Sequence, residues 1–200
     1  MVRHFFKQKN TQISSGFTVI ELMVTITIVV LVTAVVLVQY SAFNSSVLLN
    51  SQAYKIAFDL REAQSLGLGS RGQGTEFREE YGLYFNKTSG NENKYILFQD
   101  NGSAVPAGYA AAEALGSPNV IDPRFKISNI CVSSGTAPSC VAGTSAVNSV
   151  SITFKRPDFN AQIFSSIAGV QTVDIYITSV SDPTSSKIVH VSTSGQITVQ

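Results

Sequence analysis

Hydrophobic and polar positions divide the chain into three regimes. Residues 22 to 38 are apolar apart from three threonines, and no charged side chain occurs between Glu21 and Lys55. Gly and Pro are both absent from residue 17 through Leu66, so nothing in that stretch must break a helix. From about residue 45 the pattern turns amphipathic. Leu49, Ala53, Ile56, Ala57, Leu60 and Ala63 recur at helical spacing, while Lys55, Asp59, Arg61 and Glu62 take most of the remaining face. A single helix is therefore predicted to begin in an apolar medium and to end packed on a folded domain.

Beyond Leu66 the pattern reads as a sheet, with alternation clear in several segments. Short segments rich in β-branched and aromatic residues recur as YGLYF (81–85), KYILFQ (94–99), RFKISNICV (124–132), SVSITFK (149–155), TVDIYIT (172–178), KIVHVS (187–192) and QITV (196–199). Val173, Ile175 and Ile177 alternate with Asp174, Tyr176 and Thr178. The turn signals SGNEN, QDNGS, RPDFN, SDPTSS and TSG separate these segments. The predicted class is α+β: a long amino-terminal helix whose amphipathic half, 45–66, packs on an antiparallel sheet spanning 78–200.

Composition and charge sharpen the first regime. Only 14% of the chain is charged, and a hydrophobic content of 44% is ample for a core. The net charge of +1 conceals an asymmetry, because residues 1–16 hold Arg3, Lys7 and Lys9 with no acid. No global basic excess argues for nucleic acid, and the clusters Arg124–Lys126 and Lys155–Arg156 are its sole local support. The apolar run over 17–38 exceeds the roughly 7–15 residues of a signal core and matches the roughly 20 of a spanning helix. With basic residues before it, the positive-inside rule predicts a single pass with the amino end cytoplasmic and the remainder exported.

The Gly16–Phe17 junction followed by TVIELM resembles the processing site of type IV pilins and type II secretion pseudopilins. The likeness covers the basic leader, the junction, the acid at Glu21 and the uninterrupted apolar run. It implies a leader over 1–16 removed after Gly16 by a prepilin peptidase, an N-methylated Phe17, and a membrane and assembly helix over 17–44. An exported pilin-like domain over 45–200 would follow. The implied partners are other pilin or pseudopilin subunits, the peptidase, an inner-membrane assembly platform and the lipid bilayer. Glu21 would then offset the amine of Phe17 on a neighbouring subunit in the filament core; the plain alternative places it at the cytoplasmic interface of an uncleaved anchor.

The remainder resembles H-type pseudopilins and FimT-like minor pilins more loosely. LREAQS (60–65) matches their helix end; Phe98, Asp100 and Gly102 match a turn; Ile152–Phe154 with Pro157 match a late strand; and VSTSGQITV matches a closing hairpin. One departure is the absence of a proline near the middle of the membrane helix, the first proline being Pro106.

Other patterns favour plainer readings. GLGSRG (67–72) fits a dinucleotide fingerprint, yet a helix precedes it where a strand is required, so Gly67 and Gly69 are read as helix-stopping punctuation. Cys131 and Cys140 are the two cysteines, and export to an oxidising side predicts a disulfide between them. They offer too few ligands for a metal site, and His190, in a strand pattern, reads as a surface residue. DNGS (100–103) lacks the repeated oxygens of a calcium loop and reads as a turn. Glu79, Glu80, Asp158 and Asp174 show no pairing with a base or nucleophile, so no enzyme, metal or cofactor is expected. The expected function is that of a structural filament subunit, with a DNA-binding or surface-binding tip protein and an uncleaved surface anchor as alternatives.

Overall fold

The computed structural model describes residues 16–69, 79–101, 108–135 and 147–200, with backbone only at 38–43. The described residues form a helix α1 (Val19–Leu68) and nine strands: β1 (Glu80–Asn86), β2 (Lys94–Asp100), β3 (Asn119–Val120), β4 (Phe125–Ser133), β5 (Ser149–Phe154), β6 (Ala161–Phe164), β7 (Thr172–Ser179), β8 (Ser186–Ser192) and β9 (Ile197–Val199). A short 3-10 turn, Ala111–Glu113, precedes β3. The protein is thus α+β, with an apolar amino-terminal helix and a carboxy-terminal antiparallel sheet domain. It divides into two units between Phe43 and Asn44.

In the first unit the helix is opened by Thr18, whose Oγ1 accepts the Glu21 N–H at 3.3 Å. Val, Ile and Thr dominate the following turns, a poor choice for a helix in water but a sound one where lipid obliges the backbone to satisfy its own hydrogen bonds.

The second unit has its own core. Leu49, Ala53, Ile56, Ala57, Leu60 and Ala63 are buried on one face of α1, and Lys55, Arg61 and Glu62 are exposed on the other. The buried face belongs to one cluster with the inner faces of the strands. Its alanines let the helix backbone approach closely, and Gly67 carries this furthest: a Cβ there would run into the Phe154 carbonyl oxygen. Gly67 accordingly lies inside the last helical turn and does not stop the helix. The stop falls at Gly69, whose N–H bonds back to Ser65 O at 2.9 Å.

The antiparallel domain is divided into two sheets, a division that the strand pattern does not reveal. The first has the order β3-β2-β1-β5-β6 and the second β4-β7-β8-β9. β1 pairs with β5 across the intervening chain, matching Leu83 to Ile152 and Phe85 to Val150, because both strands then turn apolar side chains to the same core. Val173, Ile175 and Ile177 of β7 are fully buried, as their alternation predicts. Two strands escaped the sequence pattern. β3 has two residues and β6 four, too short for periodicity to register.

Hydrogen bonds tie the helix to the sheets. Tyr95 of β2 donates to Asp59 Oδ2 at 2.5 Å, Gln64 Nε2 donates to Gly195 O at 3.2 Å, and Arg61 donates to Ile197 O at 3.3 Å. Gly195 closes the β8–β9 hairpin with φ +81, and a Cβ there would meet the Phe159 carbonyl.

Candidate functional site

The apolar segment presents its chemistry outward. Val19–Leu37 has a mean hydropathy of 2.7 with none of it buried within the protein. It is long and apolar enough to cross a bilayer. Its threonines do not spoil it: Thr25, Thr27 and Thr33 donate to the carbonyls of Leu22, Met23 and Val29 at 2.9, 2.8 and 2.7 Å. A hydroxyl that costs several kcal/mol when left unbonded in hydrocarbon is thereby satisfied within the helix itself.

Gly16 and Phe17 precede the first helical residue, and Phe17 is 76% exposed. A Cβ built on Gly16 meets nothing within 4 Å, so packing does not demand glycine there. Glu21 lies in the first turn of α1, where an acid interacts favourably with the helix dipole. Its backbone N–H is capped, and its carboxylate has no partner among the described residues. Arg3, Lys7 and Lys9 lie outside the described residues.

Cys131 is disulfide-bonded and buried in β4. The sequence offers Cys140 as its one intrachain partner, and that residue lies outside the described residues. Gly102 and Ser103 of the DNGS stretch also lie outside them, as does GLGSRG after Gly69. Glu113, buried, accepts the N–H groups of Ala110 at 2.8 Å and Asn101 at 3.3 Å, so its carboxylate holds the chain around the 3-10 turn. Among the described residues no three His, Cys, Asp or Glu side chains converge on a metal position.

The basic clusters are largely neutralised. Arg124 forms a forked pair with Asp122, at 2.7 Å for Nη2, and these hydrogen bonds hold the Asp122 carboxyl down at about 2. Lys155 meets Glu80 at 2.6 Å, and Lys126 meets Glu92 at 3.7 Å. Arg156 is exposed.

The sequence reading missed one pairing. Asp174 and His190 face each other across β7 and β8, and His190 Nδ1 lies 2.6 Å from Asp174 Oδ1. They border a depression of about 490 Å³ shared with Tyr176, whose phenol is pushed up by burial and by the Asp174 carboxylate. An imidazole held by a carboxylate is the base half of a nucleophilic device. Among the described residues neither Thr172 nor Tyr176, the hydroxyls of this depression, hydrogen-bonds to the ring. The pair ties β7 to β8 across the strands. Its signal was the matched position on two alternating strands, legible only after their register is known.

No protein-family model matches the chain, and no curated protein and no solved structure matches it.

Proposed function

We propose that the chain is a structural subunit, a minor pilin or pseudopilin, of a type IV pilus or type II secretion filament. One observation carries this reading. A helical segment with every face apolar and every threonine hydroxyl satisfied contains, in its first turn, a carboxylate with no partner among the described residues.

An ionised acid in a membrane helix costs about 2.5–3.5 kcal/mol on insertion scales, so its presence calls for a partner from elsewhere. Cleavage after Gly16 supplies one, since it frees a cationic amine on Phe17. Packed helix against helix, the amine of one subunit meets Glu21 of the next, and burial from water makes the pairing obligatory. Before assembly the subunit is a single-pass inner-membrane protein with its sheet domain exported, where a disulfide at Cys131 suits an oxidising compartment.

The test is to follow processing, membrane retention and filament incorporation together for Glu21→Gln. Insertion and cleavage are expected to survive, while incorporation falls steeply, because leaving one member of a buried pair alone typically costs about 3–5 kcal/mol. Incorporation at the unsubstituted level refutes the pairing. Mature protein that still begins at Met1 refutes the processing and leaves an uncleaved anchor. Nucleic-acid binding is the less favoured reading, since Arg124, Lys126 and Lys155 each have a carboxylate at hand.

A further inference from the structure

The outer face of the first sheet, turned away from the core, is built differently from the rest of the surface. Ile96, Tyr84, Ser151 and Phe164 stand in one row across β2, β1, β5 and β6. Above this row runs the chain from Gly108 to Leu115. It is fixed at one end by Tyr109, whose N–H donates to Ser151 Oγ at 3.1 Å, and at the other by Leu115, whose N–H donates to Leu97 O at 2.8 Å. Tyr109 stacks on Tyr84 with centroids 4.5 Å apart and meets Phe98 edge-on at 5.4 Å. The paired rings stand between two depressions, one of about 700 Å³ toward β5 and β6 and one of about 340 Å³ toward β2.

We propose that this face binds a neutral saccharide, with the Tyr84–Tyr109 pair as its aromatic wall. The larger depression has the size of a small-ligand site, roughly 300–1,000 Å³. Its described lining contains no charged side chain; rings and aliphatic groups alternate there with the hydroxyls of Ser149, Ser151 and Ser166. Ser151 is 5% exposed and accepts the Tyr109 N–H on one of its two oxygen lone pairs, which leaves the other lone pair and its proton for a ligand. Ser149 has no side-chain hydrogen bond among the described residues. The smaller depression adds the amides of Asn86, which donates to the Tyr84 hydroxyl at 3.2 Å, and Asn91, together with one cation, Lys94. A sugar ring has the complementary form: an apolar C–H face for the ring wall and a rim of hydroxyls that both donate and accept.

Two other ligand classes fit less well. An extended peptide recognises unpaired main-chain groups at a sheet edge, whereas the floor of the depression is made by β1 and β5, interior strands whose main-chain groups are paired on both sides; the edge strand β6 forms its rim, and the peptide is therefore one arm of the test. A nucleic acid requires several cations along its phosphates, whereas among the described residues none lines the larger depression and Lys94 alone lines the smaller. The proposal is independent of filament assembly, because it concerns the sheet domain alone.

The experiment uses the full chain in a detergent without a sugar headgroup, so that the detergent cannot occupy the site. Maltohexaose, cellohexaose and chitohexaose are titrated by saturation-transfer NMR and calorimetry, with a single-stranded DNA oligonucleotide and an uncharged extended peptide alongside. At least one hexasaccharide is expected to bind with an affinity insensitive to salt. Tyr109→Ala should weaken it about tenfold, the loss of one ring contact, while Tyr109→Phe stays within about threefold. Should Tyr109→Ala fail to fold, Ser166→Trp fills the depression from an exposed position and should abolish binding. Failure of all three saccharides to bind overturns the proposal. So does binding that survives both Tyr109→Ala and Ser166→Trp, or retention of the DNA or the peptide in place of the sugars.

Discussion

Tyr95→Phe isolates one hydroxyl that joins the helix to the sheet. Tyr95 is 1% exposed, its ring packs 5.6 Å from that of Phe85, and its phenol donates to Asp59 Oδ2 at 2.5 Å. The substitution keeps the ring and so preserves nearly all apolar burial. What disappears is a hydrogen bond to a carboxylate, which contributes about 1.5–3 kcal/mol. Asp59 is half-buried and recovers some water when released, so the expected loss lies at the lower end, about 1.5–2 kcal/mol. For a domain of this size that lowers Tm by roughly 3–8 °C. The assay is thermal and urea unfolding of the fragment 44–200, which contains the whole buried cluster, combined with Asp59→Asn in a double-mutant cycle. The pH dependence has a definite sign. Burial first, and the Asp59 hydrogen bond second, push the Tyr95 phenol above its ordinary value, so the folded state holds this proton more tightly than the unfolded chain. The resulting stability is fully present below about pH 10 and declines as the unfolded phenol begins to ionise above it. The margin of the parent over Tyr95→Phe should shrink through that range. A substitution effect within about 0.5 kcal/mol of zero, or a cycle without coupling, refutes the reasoning.

Other substitutions probe the same core and its covalent tie. Gly67→Val drives a side chain into the Phe154 carbonyl and should cost about 1–3 kcal/mol in urea unfolding of the same fragment, whereas Gly69→Ala, beyond the helix, should cost less. Leu60→Ala, at a fully buried position on the helix, should cost about 2–5 kcal/mol and lower the urea midpoint at an unchanged m-value. Cys131→Ser removes the disulfide and should cost about 2–4 kcal/mol, an effect that a reductant reproduces in the parent and does not add to in the variant.

The helix was legible in the sequence because its rule is local. Six positions at spacings of three and four, from Leu49 to Ala63, are all buried in the structure, since every turn of a helix repeats the same geometry. All seven segments rich in β-branched and aromatic residues became strands, and the alternation of Val173, Ile175 and Ile177 is a local rule of the same kind. Pairing is not local. Nothing near Leu83 announces Ile152 as its neighbour, and nothing in RFKISNICV says that β4 leaves the first sheet to begin the second. The sites that depend on pairing were therefore hidden: Asp174 meets His190 through the β7–β8 register, and Tyr84 meets Tyr109 where a chain held to Ser151 and Leu97 crosses the first sheet. Gly67 was misjudged by a related route. Glycine at a helix end has two uses, stopping the helix or allowing close packing, and the choice rests on Phe154, which lies far along the chain.

The same distinction explains why Glu21 could be singled out from sequence yet gains its meaning from structure. Four polar side chains interrupt the apolar run from Val19 to Leu37: Glu21, Thr25, Thr27 and Thr33. A sequence pattern counts all four against a membrane segment. The helix resolves three of them, because a threonine hydroxyl can reach the carbonyl three or four residues behind it and needs nothing from outside. A carboxylate cannot do this, since an ionised acid has no proton to offer a carbonyl and must find donors instead. The capping contact at Thr18 involves the Glu21 backbone and leaves the charge untouched. Within this segment the need for a partner thus falls on a single group, and the helix surrounding it is apolar on every side. Among the described residues nothing satisfies Glu21; on the proposed filament reading its partner is a cation on another chain, on the plain reading it is water at the membrane boundary, and the Glu21→Gln measurement separates these two, because a boundary residue can lose its charge without consequence for assembly.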